Sequence, residues 1–239
     1  CTARVRWTRR SVRPPVPESI TSPVAESAST ARDGLASVLG GIRRVRQANA
    51  WIFTTMLVSA CLSLVASFVL SVDAVILAAD PKAALACNIN AVLSCGTVGA
   101  SWQASLFGFP NSFLGLVAEP VVITIAVASL GGVRFPRWFM LSAQVVYTLG
   151  VVFAYWLFFQ AYFVIGALCP WCLLVTLSTT LVFTSLTHVN IRDGNLYLPA
   201  RASRAARSFI ASDLDALVVL VWLTAVVTMI VTKYVPLML

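Results

Sequence analysis

Three observations in the sequence predict an all-α integral membrane protein with five spans. Hydrophobic residues make up 59% of the 239 and charged residues 11%, whereas soluble domains carry about 25% charged residues. Mean hydropathy is +0.88. The apolar residues gather into runs long enough to cross a bilayer, about 20 residues each, and the basic residues gather between those runs. A soluble globular protein is excluded, and so is extensive disorder, which needs low hydrophobicity.

The runs define the spans. Residues 51–72 carry no charge and form the first, which continues to about Ala79. The second runs from about Asn111 to Leu130 and holds one acid, Glu119. Residues 138–187 contain no Asp, Glu, Lys or Arg. Two spans need about forty residues, and the helix-breaking Pro170 marks the turn between them. The third span is therefore about 138–164, the fourth about 169–187, and the fifth about 214–235.

Basic residues orient the spans. Arg4, Arg6, Arg9, Arg10, Arg13, Arg32, Arg43, Arg44 and Arg46 precede Trp51. Arg134 and Arg137 lie between spans two and three, and Arg192, Arg201, Arg204 and Arg207 between spans four and five. Lys82 and Lys233 alone fall on the other side. The expected topology is a multi-pass plasma-membrane protein with a cytoplasmic N-terminus. Loop 80–110 and the turn at Pro170 are then extracytoplasmic. This sorting, aided by attraction to anionic membrane lipid, accounts for the net charge of +8 and calls for no nucleic acid. Residues 1–47, rich in Arg, Ser, Pro and Ala, read as a disordered basic cytoplasmic tail.

Four of the six cysteines fall on the expected extracytoplasmic face, where disulfides form and persist. Cys87 and Cys95 lie in the loop, and Cys169-Pro-Trp-Cys172 opens span four. Pro170 suits the first turn of a helix, which makes Cys169 the N-cap and sets Cys172 in the first turn. Free N–H groups and the helix dipole there favour a thiolate, the species that attacks disulfides. A redox pair is one reading of this pattern. A structural disulfide that staples the turn is another, and a four-cysteine zinc site a third. The wide Cys87–Cys95 spacing and the position of the lone His188 on the opposite face argue against zinc, and no metal is expected. Cys61, among Leu62, Leu64 and Val65, reads as a small buried hydrophobe. Cys1 has no expected role.

Polar residues inside spans are costly and suggest function. Glu119, beside Pro120, reads either as a proton relay or as a neutral acid bonded to carbonyls freed by the proline. Asp73 reads as reaching the interface. Trp102, Leu106, Phe107 and Phe109 suit a short helix at the interface, as an anchor or as a cover. Asn111 alone reads as the cap of span two.

Taken in order, Cys87-x7-Cys95, Ser101, Phe107-Gly-Phe-Pro-Asn-Ser-Phe-Leu-Gly115 and Cys169-x-x-Cys172 resemble the vitamin K epoxide reductase family, over about residues 50–190. The likeness is to bacterial members, which make protein disulfides. It implies a four-helix catalytic domain over 48–190 around a quinone site, followed by a cytoplasmic linker and a fifth transmembrane helix over 191–239. It implies that Cys172 faces the quinone, Cys169 is its partner, Cys95 is the shuttle and Cys87 meets the substrate protein. It implies that Asn111 hydrogen-bonds a quinone oxygen and that Ser101 and Phe107 belong to the segment covering the site. Thr176 stands where some relatives carry a tyrosine, on the Cys172 face of the helix, which favours simple quinone reduction over epoxide chemistry. Many bacterial relatives continue into a thioredoxin-like domain. Here the chain ends at Leu239, so the implied electron donor is a separate DsbA-like thioredoxin-fold protein. Menaquinone is the expected quinone, from Ala-, Val- and Arg-rich usage of a high-G+C Gram-positive kind. The DsbB type, with its two cysteine pairs in the reverse order, fits less well. The alternative of another class is a non-enzymatic five-span protein with two structural disulfides.

Overall fold

The computed structural model describes Gly41, residues 48–90 and residues 92–234. The basic tail, Gly41 and Ala48 onward apart, and Cys1 with it, lie outside the described residues. The bundle lies in one compact unit, Val45–Leu239. Its helices are α1 (Asn49–Ala79), α2 (Cys95–Gly99), α3 (Ser112–Leu130), α4 (Arg137–Gln160), α5 (Pro170–Asp193), α6 (Ala200–Ala211) and α7 (Leu214–Tyr234). A 3₁₀ turn covers Trp102–Ser105, and a π turn, Ala161–Ile165, extends α4. Helices α1, α3, α4 with its π turn, α5 and α7 are long and apolar enough to cross a membrane, in the positions the sequence predicts. The protein is an all-α multi-pass membrane protein.

Helices α1, α3, α4 and α5 share one core, in which Met56 and Ala60, Ile125 and Ala126, Met140 and Tyr147, and Val182 and Leu186 meet. Lipid tails are as apolar as leucine, so such helices associate through close packing and interhelical hydrogen bonds. Helix α1 supplies both. Ser59, Ser63, Ser67 and Ser71 recur every four residues, fall on one face and are buried. A Cβ on Gly115 of α3 would lie 2.1 Å from Ser67 Oγ; only glycine lets the two backbones come this close. One turn along, Ser71 Oγ donates to Ser112 Oγ at 2.9 Å.

The same stripe receives Glu119. Ser63 Oγ donates to its Oε1 at 2.7 Å, and Tyr147 OH lies 3.1 Å from both carboxylate oxygens. The acid therefore joins α1, α3 and α4. It is bonded to side chains on two other helices, not to the carbonyls near Pro120.

Helix α7 lies outside this core and is pinned near both ends. His188 Nδ1 and Asp215 Oδ2 are 2.7 Å apart. At the other end Lys233 Nζ donates to Tyr162 O and sits 4.1 Å from the Tyr162 ring centroid, while Tyr162 OH donates to Met229 O at 3.0 Å.

Two expectations change. Cys61 is exposed on the bundle surface, not buried. It lies off the serine stripe, and a lipid-facing position is as apolar as a core one, so hydrophobic neighbours do not mark burial in a span. The stretch between spans four and five, read as linker, contains the helix α6, whose small alanines hide it from a hydropathy reading.

The α1–α3 contact carries a prediction. Gly115→Ala forces the helices apart and lowers stability by about 1–3 kcal/mol. Thermal unfolding in detergent reads this as a lower Tm, partly restored by adding Ser67→Gly. An unchanged Tm contradicts the close approach.

A candidate thiol–disulfide redox centre

Four cysteines converge at one end of the bundle because two backbone segments pair there. Asn90 Oδ1 accepts from Val92 N at 2.9 Å and Leu93 N at 2.7 Å, turning the chain. Leu168 N then donates to Val92 O at 2.8 Å and Ser94 N to Leu168 O at 3.0 Å, forming a parallel bridge between Leu93 and Leu168. The partner segment is delivered by Gly166, whose φ of 75° ends the π turn and suits glycine. The bridge sets Cys95 beside Cys169, with their sulfurs 3.2 Å apart.

Each sulfur has its own support. Ser94 caps α2, its Oγ accepting from Thr97 N at 3.1 Å. Asn88 Oδ1 accepts from Gly96 N at 2.9 Å. Cys87 and Cys95 form a disulfide, and Cys169 and Cys172 are free thiols. Cys169 is the N-cap of α5, as its spacing predicts, and its Sγ accepts from Cys172 N at 3.4 Å. The hydrogen bond with the Cys172 side chain, together with the N–H groups of Cys172 and Trp171, holds the Cys169 thiol below its usual range despite burial. Cys95 and Cys169 are 3% and 2% exposed, whereas Cys87 is 9% exposed, the most open of the three. Cys172 is half-buried.

Asp73 belongs to this centre. Its Oδ2 lies 3.5 Å from Cys87 Sγ. With the disulfide closed this is a contact; on reduction the Cys87 thiol gains an acceptor. Asp73, Cys87 and Cys95 present ligand atoms within 4.8 Å of one another. While the two sulfurs are bonded together, that set offers a metal one carboxylate.

The remaining sequence candidates lie in the segment that leads into α3 and on α5. Asn111 Nδ2 donates to Gln103 O at 2.6 Å and its Oδ1 accepts from Leu106 N at 3.2 Å. Both ends of its amide thus hold the 103–106 backbone, and it makes no side-chain cap of α3. Ser101 Oγ donates to Val98 O at 2.6 Å, joining the 3₁₀ turn to α2. Buried Gln103 donates to Gln160 Oε1 at 3.4 Å. Phe107 stacks with Phe109 and tilts against Phe153, which stacks on Trp156; Trp102 meets Trp156 edge-on. Thr176 Oγ1 donates to Cys172 O at 2.9 Å, one turn along α5 from that residue.

A sequence model of the vitamin K epoxide reductase family matches residues 54–187, more than half of the chain. The chain belongs to the vitamin K epoxide reductase family. The match includes all four cysteines of the centre and ends before α6 and α7. No curated protein matches the sequence significantly. As a family member the protein is a membrane oxidoreductase, of a family linked in general to quinones. Its residues fit such a group: an apolar, aromatic surface at Phe107, Phe109, Phe153 and Trp156 beside the loop that Asn111 holds, and Cys172, a half-buried residue on α5. Sequence reasoning read Asp73 only as reaching the interface, where the structure sets it against Cys87, and missed Asn88, Asn90 and the Leu93–Leu168 bridge. The Asn-x-Asn spacing before Cys95 was a legible turn signal.

Two predictions arise here. Asn90 is exposed, so Asn90→Ala leaves the core intact but loosens the bridge. Thiol–disulfide exchange between Cys95 and Cys169 slows about tenfold, the worth of the two exposed hydrogen bonds that Asn90 Oδ1 accepts, as rapid-quench alkylation reads it; an unchanged rate contradicts the role of the turn. Second, the Cys169 thiolate forms at lower pH than an ordinary thiol, whose value is about 8.5. Its reactivity therefore survives acidification further, and falls as pH drops through the lowered value. Cys172→Ala removes the largest cause and moves the midpoint of thiolate absorbance up in pH; an unmoved midpoint contradicts the assignment.

Proposed function

We propose that this protein oxidises a separate DsbA-like thioredoxin-fold protein outside the cytoplasm and passes the electrons through both cysteine pairs to a quinone of the plasma membrane, with menaquinone the expected one. One observation carries this reading: Cys169 Sγ stands 3.2 Å from a sulfur of the Cys87–Cys95 disulfide, within reach for exchange.

Each step balances as a thiol–disulfide exchange. A thiolate of the partner attacks Cys87, the more exposed residue of the outer pair, and Cys95 leaves as a thiolate. The partner's second thiol attacks the mixed disulfide, frees Cys87 and leaves the partner oxidised. Cys95 then attacks Cys169 of a Cys169–Cys172 disulfide and frees Cys172. Cys87 attacks Cys95, restoring Cys87–Cys95 and freeing Cys169. The arrangement with the outer pair bonded and the inner pair as thiols corresponds to this point. When bound, a quinone would supply an acceptor for two electrons and two protons. Cys172 and Cys169 give these up and close on one another.

The other residues act around this path. Asp73 takes the Cys87 proton as that thiol becomes a nucleophile. Asn111 and Ser101 hold the covering segment, with Phe107 on its lipid-facing side, so Asn111 serves the quinone through the loop as well as by any direct hydrogen bond. Thr176 lies on the flank below Cys172. Two permanent structural disulfides would not call for Cys169 Sγ to stand 3.2 Å from Cys95 Sγ.

The test is oxidation of a reduced DsbA-like protein by the purified protein in detergent with menaquinone. Wild type turns over repeatedly, and Cys172→Ser and Cys87→Ser fall to background. Cys87→Ser still oxidises a small dithiol. Absence of quinone reduction by wild type with its cysteines intact overturns the proposal.

A further inference from the structure

At the end of the bundle opposite the cysteines, two arginines from different helices converge on one residue. Arg137, first residue of α4, donates from Nη2 to Gly194 O at 2.6 Å. Arg207 of α6 brings its Nη2 to within 3.2 Å of where a Gly194 Cβ would lie. Gly194 has φ of 72° and ends α5, so its missing side chain gives the second guanidinium room. Among the described residues no carboxylate forms an ion pair with Arg137 or Arg207, nor with Arg134, Arg201 or Arg204. Like charges held together without a counter-charge repel, and an anion between them removes that cost.

The surroundings describe the anion. A cleft of about 150 Å³ opens here, lined by Arg137, Arg207, Ser203 and Asn190 and by the apolar Leu196 and Leu198. Its rim lies at interface depth, because Trp138 and Tyr197 at the site and Trp51 at the same end of α1 are all more than half exposed, as aromatics at a headgroup level are. Arg137 also stacks over the Tyr197 ring at 4.1 Å. Helix α6 is amphipathic: Arg201, Arg204 and Arg207 share one side, and Ala202, Ala205 and the exposed Phe209 the other. That is the pattern of a helix lying in the interface plane over anionic lipid.

We propose that this cleft binds the phosphate of an anionic phospholipid, clamped between Arg137 and Arg207, with its acyl chains against Leu198 and the apolar side of α6. The lipid is chosen over free phosphate because leucines adjoin the guanidinium groups. The bound lipid ties α4, α5 and α6 together at the end of the bundle away from the redox chemistry.

The test is thermal unfolding of the full chain in neutral detergent, titrated with phosphatidylglycerol, phosphatidylcholine or inorganic phosphate. Phosphatidylglycerol is expected to raise Tm saturably by about 3 °C, and the other two are expected not to. Arg137→Gln/Arg207→Gln loses the increment, and Arg201→Gln/Arg204→Gln, which removes the same charge outside the cleft, keeps most of it. An equal rise with phosphate alone, or an equal loss in both double variants, overturns the proposal. The wild type provides a readout free of any folding defect. After native mass spectrometry from phosphatidylglycerol-containing nanodiscs, it is expected to retain one such lipid, and retention of none overturns the site.

Discussion

The redox centre depends on two backbone hydrogen bonds. Leu168 N to Val92 O and Ser94 N to Leu168 O lay two distant segments side by side, and the contact between Cys95 and Cys169 follows from that pairing. Cys95 comes next but one after Leu93, and Cys169 next after Leu168, so the bridge brings the outer pair to the inner pair. A disulfide exchange needs sulfurs in contact, and a loop of fifteen residues tethered only at its ends would rarely supply it. The Asn90 and Gly166 turns, each just ahead of its half of the bridge, reduce the freedom of both segments, which is how a short pairing comes to hold.

The bundle beneath supplies a frame. Serines every four residues along α1, and a glycine opposite them, replace the large apolar side chains that would hold helices apart. Glu119 is accommodated by the same logic, since Ser63 and Tyr147 both bond its carboxylate. The acid is a joint of three helices. It lies toward the middle of α3, and this packing accounts for its place in the fold.

Much of this was legible in the sequence, for particular reasons. The spans could be read because length and apolarity are what a bilayer demands, and Cys169 as N-cap because Pro170 fixes the first turn. The contact of Cys95 with Cys169 was legible only through the family resemblance, since seventy-four residues separate them and no periodicity reports a bridge of one residue pair. Burial within spans was not legible: Cys61 faces outward because lipid and core are equally apolar. Asp73 sits at a span end, where an acid ordinarily reaches water, and the Cys87 contact that gives it meaning is tertiary. Asn111 had the composition of a cap or a ligand, and both ends of its amide turned out to hold the loop that precedes its helix.

The central claim is that electrons pass between the pairs through a bond between Cys95 and Cys169. Removing the two outer partners tests it most directly. In a Cys87→Ala/Cys172→Ala protein, mild oxidation in the membrane should join Cys95 to Cys169, so that peptide mass spectrometry finds the two linked and neither open to alkylation. Full alkylation of both thiols in a folded protein would contradict the account.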